Sequence, residues 1–259
     1  LNKILLSFDV EEFDMPLEYN HSIELDEQLH VGKNGLDEIL KVIQTQNIPC
    51  TFFATGVFAK AFPNEIKNLS QQHEIASHTY YHSNFKTEHL KESKDILESI
   101  TQKKITGFRM PRMAAVNVQD LKDAGYQYDS SINPLWLPGR YNNLHKPRTL
   151  FIENELIRLP ASVTPNLRLP LFWLSFKNMP YSLFLFLVKQ TLKKDGYVCL
   201  YFHPWEFVNL ASYKIPSYTK KDSDTILLNK LNQLITDLKK IARFTTIQNY
   251  IDSHKNFIN

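Results

Sequence analysis

Four stretches of this 259-residue chain carry side chains whose types and spacing could do chemistry. The first is Ser7-Phe-Asp9-Val-Glu11-Glu12-Phe-Asp14. Side chains alternate along a strand, so Asp9 and Glu11 share one face and Val10 points the other way. Two carboxylates side by side repel unless a cation or a proton comes between them. The second stretch is His73-Glu-Ile-Ala-Ser-His78-Thr-Tyr-Tyr-His82. His78 and His82 are four residues apart, and on a helical turn both imidazoles would point one way, which suits a metal. Thr79 stands where the H-E-x-x-H proteases keep their general-base glutamate, so this is not that motif. The third stretch, Phe108-Arg109-Met-Pro111-Arg112, brings a cation. The fourth, Tyr201-Phe-His203-Pro-Trp205-Glu206, brings one more imidazole. Taken singly each has a bland reading: a solvated acidic strand end, an incidental histidine pair, a structural histidine. Taken together they differ. Two histidines and a carboxylate with an open position form a hydrolytic zinc arrangement, and the same set accepts other divalent metals.

The elements that would position these groups alternate. Strand-like runs are expected at Ile4–Val10, Ile48–Thr55, Glu74–Ser77, Ile105–Met110, Tyr126–Ile132, Tyr197–His203 and Phe244–Ile247. Helical spacing appears at Leu36, Ile39, Leu40 and Ile43. It returns over Asn64–Gln72, Thr87–Thr101, Asn117–Ala124, Tyr181–Lys194 and Asp224–Ala242. Asn117 is the candidate cap that starts its helix, and Gly125 the residue that stops it. Strands alternating with helices predict βαβ units and a parallel sheet. In such sheets functional groups gather at the carboxyl ends of the strands, where all four stretches fall. The segment 133–180 breaks the rhythm. It is rich in proline and aromatics, with a hairpin expected between Leu150–Ile152 and Leu156–Leu159. The expectation is one domain over residues 1–259 with an irregular insertion at about 133–180.

In this order the motifs resemble the NodB-homology polysaccharide deacetylases, the carbohydrate esterase 4 type. The motifs are Phe8-Asp9-Val10-Glu11, His78-Thr-Tyr-Tyr-His82 (preceded by Thr51-Phe52-Phe53), Arg109-Met-Pro111, Tyr128-Asp129-Ser130-Ser131-Ile132 and Tyr201-Phe-His203. The family's first motif usually carries two adjacent aspartates, a base and a metal ligand. Val10 fills the second place here, and strand alternation passes the ligand place to Glu11. A subgroup with Asp-Val-Glu first and His-Pro-Trp-Glu last is closer still. The resemblance implies a single-domain distorted (β/α) barrel of about seven parallel strands. It implies one divalent metal ion, zinc by preference, held by Glu11, His78 and His82. Asp9 would be the general base and His203 the acid that protonates the departing sugar amine. Arg109 would orient Asp9, and Asp129 would play the matching role for His203. Pro111 and Trp205 would touch the substrate. That substrate would be an N-acetylated sugar in a polysaccharide or glycan precursor. Two alternatives are an allantoinase-like hydrolase of another amide and a catalytically silent glycan-binding protein.

Composition narrows the field further. The seven glycines, at 32, 35, 56, 107, 125, 139 and 196, form neither G-x-G-x-x-G nor G-x-x-x-x-G-K-[ST], which removes the two common phosphate cradles. A net charge of +3 without a long basic block gives no reason to expect nucleic acid as a partner. The most apolar run, Leu183–Val188, is far shorter than the roughly 20 residues of a membrane helix, so no transmembrane segment is expected. Cys50 and Cys199 each lie in an apolar run and read as buried thiols, with spacing alone unable to fix a pairing. No basic-apolar-small leader begins the sequence, which starts at Leu1, and the expected location is cytoplasmic, near the membrane face if the glycan is lipid-linked. Of the 82 residues from 126 to 207, 16 are aromatic, and Trp205 beside His203 is the favoured sugar platform.

Overall fold

The computed structural model describes residues 2–258. Its strands are β1 (Lys3–Val10), β2 (Thr51–Ala54), β3 (Glu74–Ser77), β4 (Gly107–Phe108), β5 (Tyr128–Asp129), β6 (Trp136–Leu137), β7 (Tyr141–Asn142), β8 (Phe151–Glu153), β9 (Leu156–Arg158), β10 (Tyr197–Phe202) and β11 (Arg243–Phe244). Nine of them form a curled sheet in the order β10-β1-β2-β3-β4-β5-β9-β8, with β11 pairing β1 beside that path. The path from β10 to β9 is parallel, and β8 returns antiparallel on β9. β1 and β10 are apolar on both faces, as strands sandwiched in the middle of an α/β protein must be.

A distorted (β/α) barrel of about seven parallel strands was the expectation, and the structure agrees with the curled α/β sheet but does not close it. Seven strands run parallel along the path and β11 makes an eighth, but no ladder joins β9 to β10 among the described residues. Pro160, two residues after β9, has no N–H to offer a neighbouring strand. Beyond it an irregular segment crosses the gap. The Ser162 N–H donates to the Cys199 carbonyl (3.0 Å), and Ser162 Oγ accepts from the Cys199 N–H (2.8 Å). The sheet is therefore an open, curled half-barrel with a bridged gap. Cys50 and Cys199 are buried free thiols.

Strands β4 and β5 are two residues each, shorter than the apolar runs that hold them. Asn117 caps helix Val118–Asp123 by accepting the Gln119 N–H, as its sequence position suggested. The expected terminal strand ends at Phe244, and Ile247 opens a helix instead. The insertion folds into the hairpin β6–β7, the hairpin β8–β9 and the helix Trp173–Asn178. Among the described residues no helix is long and apolar enough to cross a membrane.

One helix needs its glycines. In Leu25–Gln46, a Cβ on Gly32 would lie 2.5 Å from the Glu11 carbonyl oxygen, and a Cβ on Gly35 would lie 1.9 Å from that of Pro204. The bare backbone lets this helix press onto the end of β1 and the turn after β10 together.

Candidate active site

Parallel register delivers the functional groups as neighbours. Phe8 pairs with Phe202, so Asp9 and His203 follow in adjacent strands. Ser77 pairs with Phe108, so His78 and Arg109 follow in the same way. All of them emerge on the carboxyl side of the sheet.

Glu11, His78 and His82 converge. Glu11 Oε2 lies 3.0 Å from His78 Nε2 and 3.0 Å from His82 Nε2, and all three side chains are buried. One donor atom from each falls within 4.8 Å of the others. The imidazoles reach this point with their outer nitrogens engaged. His78 Nδ1 lies 2.8 Å from the Arg109 carbonyl, and His82 Nδ1 lies 2.8 Å from Asp14 Oδ1. A histidine that donates from Nδ1 to such acceptors presents an Nε2 lone pair, here toward a carboxylate oxygen. Lone pairs facing one another at 3.0 Å call for a positive charge between them, and this donor set fits a divalent cation. The electrostatics show that positive charge is favoured at this point, whether a proton or a cation supplies it. Burial opposes the charge on Glu11, but the imidazoles of His82, His203 and His78 overcome it and hold the carboxyl well below its usual range. Burial likewise opposes a positive His82, yet Glu11 and Asp14 push its pKa up to about 10.

Beside this cluster stand Asp9 and His203, with Asp9 Oδ2 3.9 Å from His203 Nε2. The other Asp9 oxygen is taken by Arg109, whose Nη1 donates to it at 2.6 Å. Arg109 is fully buried. It also donates to Ser7 Oγ (2.9 Å), Ser130 Oγ (3.0 Å) and the Ser130 carbonyl (3.2 Å), and its guanidinium lies 4.0 Å over the Phe53 ring. Burial works against protonating His203, and Glu11, Glu206 and Asp9 outweigh it, raising the imidazole above its ordinary value.

One expected contact is corrected. Asp129 is not held against His203: it accepts from Ser131 Oγ and pairs with Arg158 Nε at 2.9 Å. The carboxylate at His203 is Glu206, whose Oε1 accepts from the His203 N–H (2.7 Å) and faces Nδ1 (3.0 Å). Its sign in the sequence was the three-residue spacing of a capping box at a proline-led turn. Trp205 is 3% exposed and lines the cavity. Its indole N–H donates to Glu11 Oε1 (3.0 Å), and its ring stacks on His203 with centroids 5.0 Å apart. Pro111 is buried at the start of a short turn, and its neighbours Arg112 and Met113 reach the cavity in its place.

Two further carboxylates, not singled out in the sequence, brace the loop that carries His82. Glu12 accepts from Thr55 Oγ1 (2.5 Å) and the His82 N–H (3.3 Å). Asp14 pairs with Arg112 Nη2 (2.9 Å) as well as with His82. The acidic run from Asp9 to Asp14 was their signal, and alternation alone could not sort its members.

The site opens into a cavity of about 360 Å³. Asp9, Glu11, His82 and His203 lie at its floor, and the insertion supplies much of its wall through Asn133, Tyr141 and Trp173. With this geometry in view, the comparisons with known proteins are informative. Residues 4–128 match the family model described as polysaccharide deacetylase. A "probable polysaccharide deacetylase" from Pseudomonas aeruginosa superposes with a TM-score of 0.66 at 15% identity, covering 98% of this chain and 91% of that one. This likeness shows a shared fold, and the family match takes in 125 of the 259 residues. Among curated proteins, the peptidoglycan deacetylase of Helicobacter pylori is 24% identical over 160 residues, 52% of this chain and 55% of that protein. The peptidoglycan-N-acetylmuramic acid deacetylase PdaA of Bacillus subtilis is 32% identical over 101 residues, 35% of this chain and 38% of that protein. The chain thus spans about half the length, or less, of these curated relatives.

Proposed function

We propose that this protein is a metal-dependent hydrolase that removes acetyl groups from an N-acetylated sugar in a polysaccharide or glycan precursor. One observation carries the reading: a buried Glu11–His78–His82 donor cluster beside an Asp9 and a His203 that face each other. Glu11, His78 and His82 would hold one divalent cation, zinc by preference for two imidazoles and a carboxylate. When bound, such a cation polarises a carbonyl and makes water more acidic.

The chain's own groups do the rest. Asp9, with Oδ1 locked by Arg109, keeps Oδ2 free to take a proton from the attacking water. His203 begins protonated, its Nδ1–H held by Glu206 and its Nε2 directed past Asp9 into the cavity. It gives the Nε2 proton to the sugar nitrogen as the C–N bond breaks. Water and amide are consumed, and acetate and a free amine are released. A cavity of about 360 Å³ is at the small end of ligand sites and suits one acetamido sugar rather than a long segment of polymer. The peptidoglycan substrates named for the two curated relatives support a glycan acetamide over a cyclic or small amide.

The test is hydrolysis of N-acetylchitooligosaccharides and of peptidoglycan fragments, read as acetate release before and after chelation and zinc restoration. Acetate release that disappears with chelator and returns with metal is the expected result. Turnover of a cyclic amide such as allantoin, with no acetate from either glycan, would overturn the reading in favour of the allantoinase-like alternative. A protein that binds these glycans without releasing acetate would be the silent one.

A further inference from the structure

Lys177 is the most unusual charged residue of this protein outside the donor cluster. It sits on helix Trp173–Asn178, far from the sequence motifs, with its side chain fully buried. A buried ammonium demands partners, because leaving one unpaired costs several kcal/mol. Lys177 has two. Its Nζ donates to the Thr219 carbonyl at 2.8 Å and lies 3.5 Å from Glu206 Oε2. The two Glu206 oxygens therefore divide their work: Oε1 serves the backbone N–H and the imidazole of His203, while the buried Oε2 faces Lys177. Thr219 and its neighbour Tyr218 both line the cavity. Trp173, on the same helix, lies edge-on to His203 with ring centroids 5.2 Å apart.

We propose that Lys177 is a positioning residue. It pins Glu206 so that His203 keeps its proton on Nδ1 and its Nε2 toward the cavity, and it ties the Thr219 segment of the cavity wall to the same point. The inference rests on the hydrolytic reading for the task His203 performs, but the contacts themselves do not depend on any substrate. A carboxylate that lost its partner on Oε2 would be free to rotate about its terminal torsion, which is broad in glutamate. The Nδ1 hydrogen bond would then no longer select one tautomer.

The test reads the imidazole directly. Full-length protein carrying ¹⁵N-labelled histidine is examined by NMR, with the His203 signals identified by their absence in His203→Gln. At a pH high enough to leave the imidazole neutral, the wild type should show His203 with its one remaining proton on Nδ1. Lys177→Met, close in volume but uncharged, should move His203 to a mixture of tautomers. It should also lower kcat on N-acetylchitooligosaccharides by on the order of tenfold or more, with KM changed less. Unchanged His203 signals in a folded Lys177→Met protein would overturn the proposal. This readout needs no substrate, so a wrong choice of glycan cannot be mistaken for a wrong Lys177. Should Lys177→Met fail to fold, the double variant Lys177→Met/Glu206→Gln removes both charges and strands neither. Its His203 signals should match those of Glu206→Gln alone. A further change on adding Lys177→Met to Glu206→Gln would refute action through Glu206.

Discussion

Replacing Arg109 with methionine would leave a carboxylate buried without its cation. Asp9 and Arg109 are both buried, and their 2.6 Å contact is the shortest polar contact of the guanidinium. Removing one partner of such a pair costs about 3–5 kcal/mol, because the survivor remains desolvated and unpaired. Domains hold only about 5–15 kcal/mol in total, so Arg109→Met should cost roughly a fifth of the stability or more. In a chain of this size, 1 kcal/mol moves the melting point by roughly 2–4 °C, which places the expected fall at about 6–20 °C. The double variant Asp9→Asn/Arg109→Met removes both charges and should recover part of the loss. Recovery would be incomplete, because the bonds to Ser7 and Ser130 also go. Urea unfolding with chelator present isolates this term from metal binding. Two results would refute the reasoning: an Arg109→Met protein within about 0.5 kcal/mol of wild type, or a double variant whose loss equals the sum of the two singles.

Three shorter predictions follow from the same geometry. Trp205→Phe keeps an aromatic ring against His203 but removes the indole N–H from Glu11 Oε1, so zinc affinity measured against a competing chelator should fall about 10- to 100-fold. Unchanged zinc affinity would return Trp205 to a purely packing role. The raised pKa of His203 keeps its acid form to higher pH, so kcat should decline as pH rises through that elevated value. Glu206→Gln removes one of the carboxylates that raise it, and the decline should begin at lower pH; a profile left in place would count against His203 as the acid. Gly35→Ala puts a methyl group where the Pro204 carbonyl already sits, and overpacking of this kind costs about 1–3 kcal/mol, measurable as a lowered melting point.

Much of this was legible in the chain because it is local. Alternation along β1 assigned Glu11 rather than Val10 to the face of Asp9, and burial of both carboxylates beside the imidazoles agrees with that assignment. The strand-end rule found His78, Arg109 and His203 for the same reason: parallel strands in register bring their carboxyl ends together. What the sequence hid depends on partners distant along the chain. Asp129 looked available to His203 until Arg158 appeared beside it from the next strand. The tie of Trp205 to Glu11 was hidden because that hydrogen bond spans 194 positions of chain. Lys177 carried no signal at all, since one lysine in an aromatic helix reads as surface until its burial is known. The gap between β9 and β10 left no mark in the strand pattern, because it depends on how an irregular segment crosses between strands far apart in the chain.

Helix Leu25–Gln46 also works as a gauge. Gly32 touches the end of β1 and Gly35 touches the turn after β10, three residues or about 4.5 Å apart along the helix axis. The offset between the strand that carries Glu11 and the turn that follows His203 is thus read off a helical rise, a dimension that hardly varies. Anyone grafting the His203 turn onto another scaffold, or seeking to widen this site by directed evolution, would have to move that helix with it. Libraries that vary positions 32 and 35 should return glycine whatever substrate is used for selection.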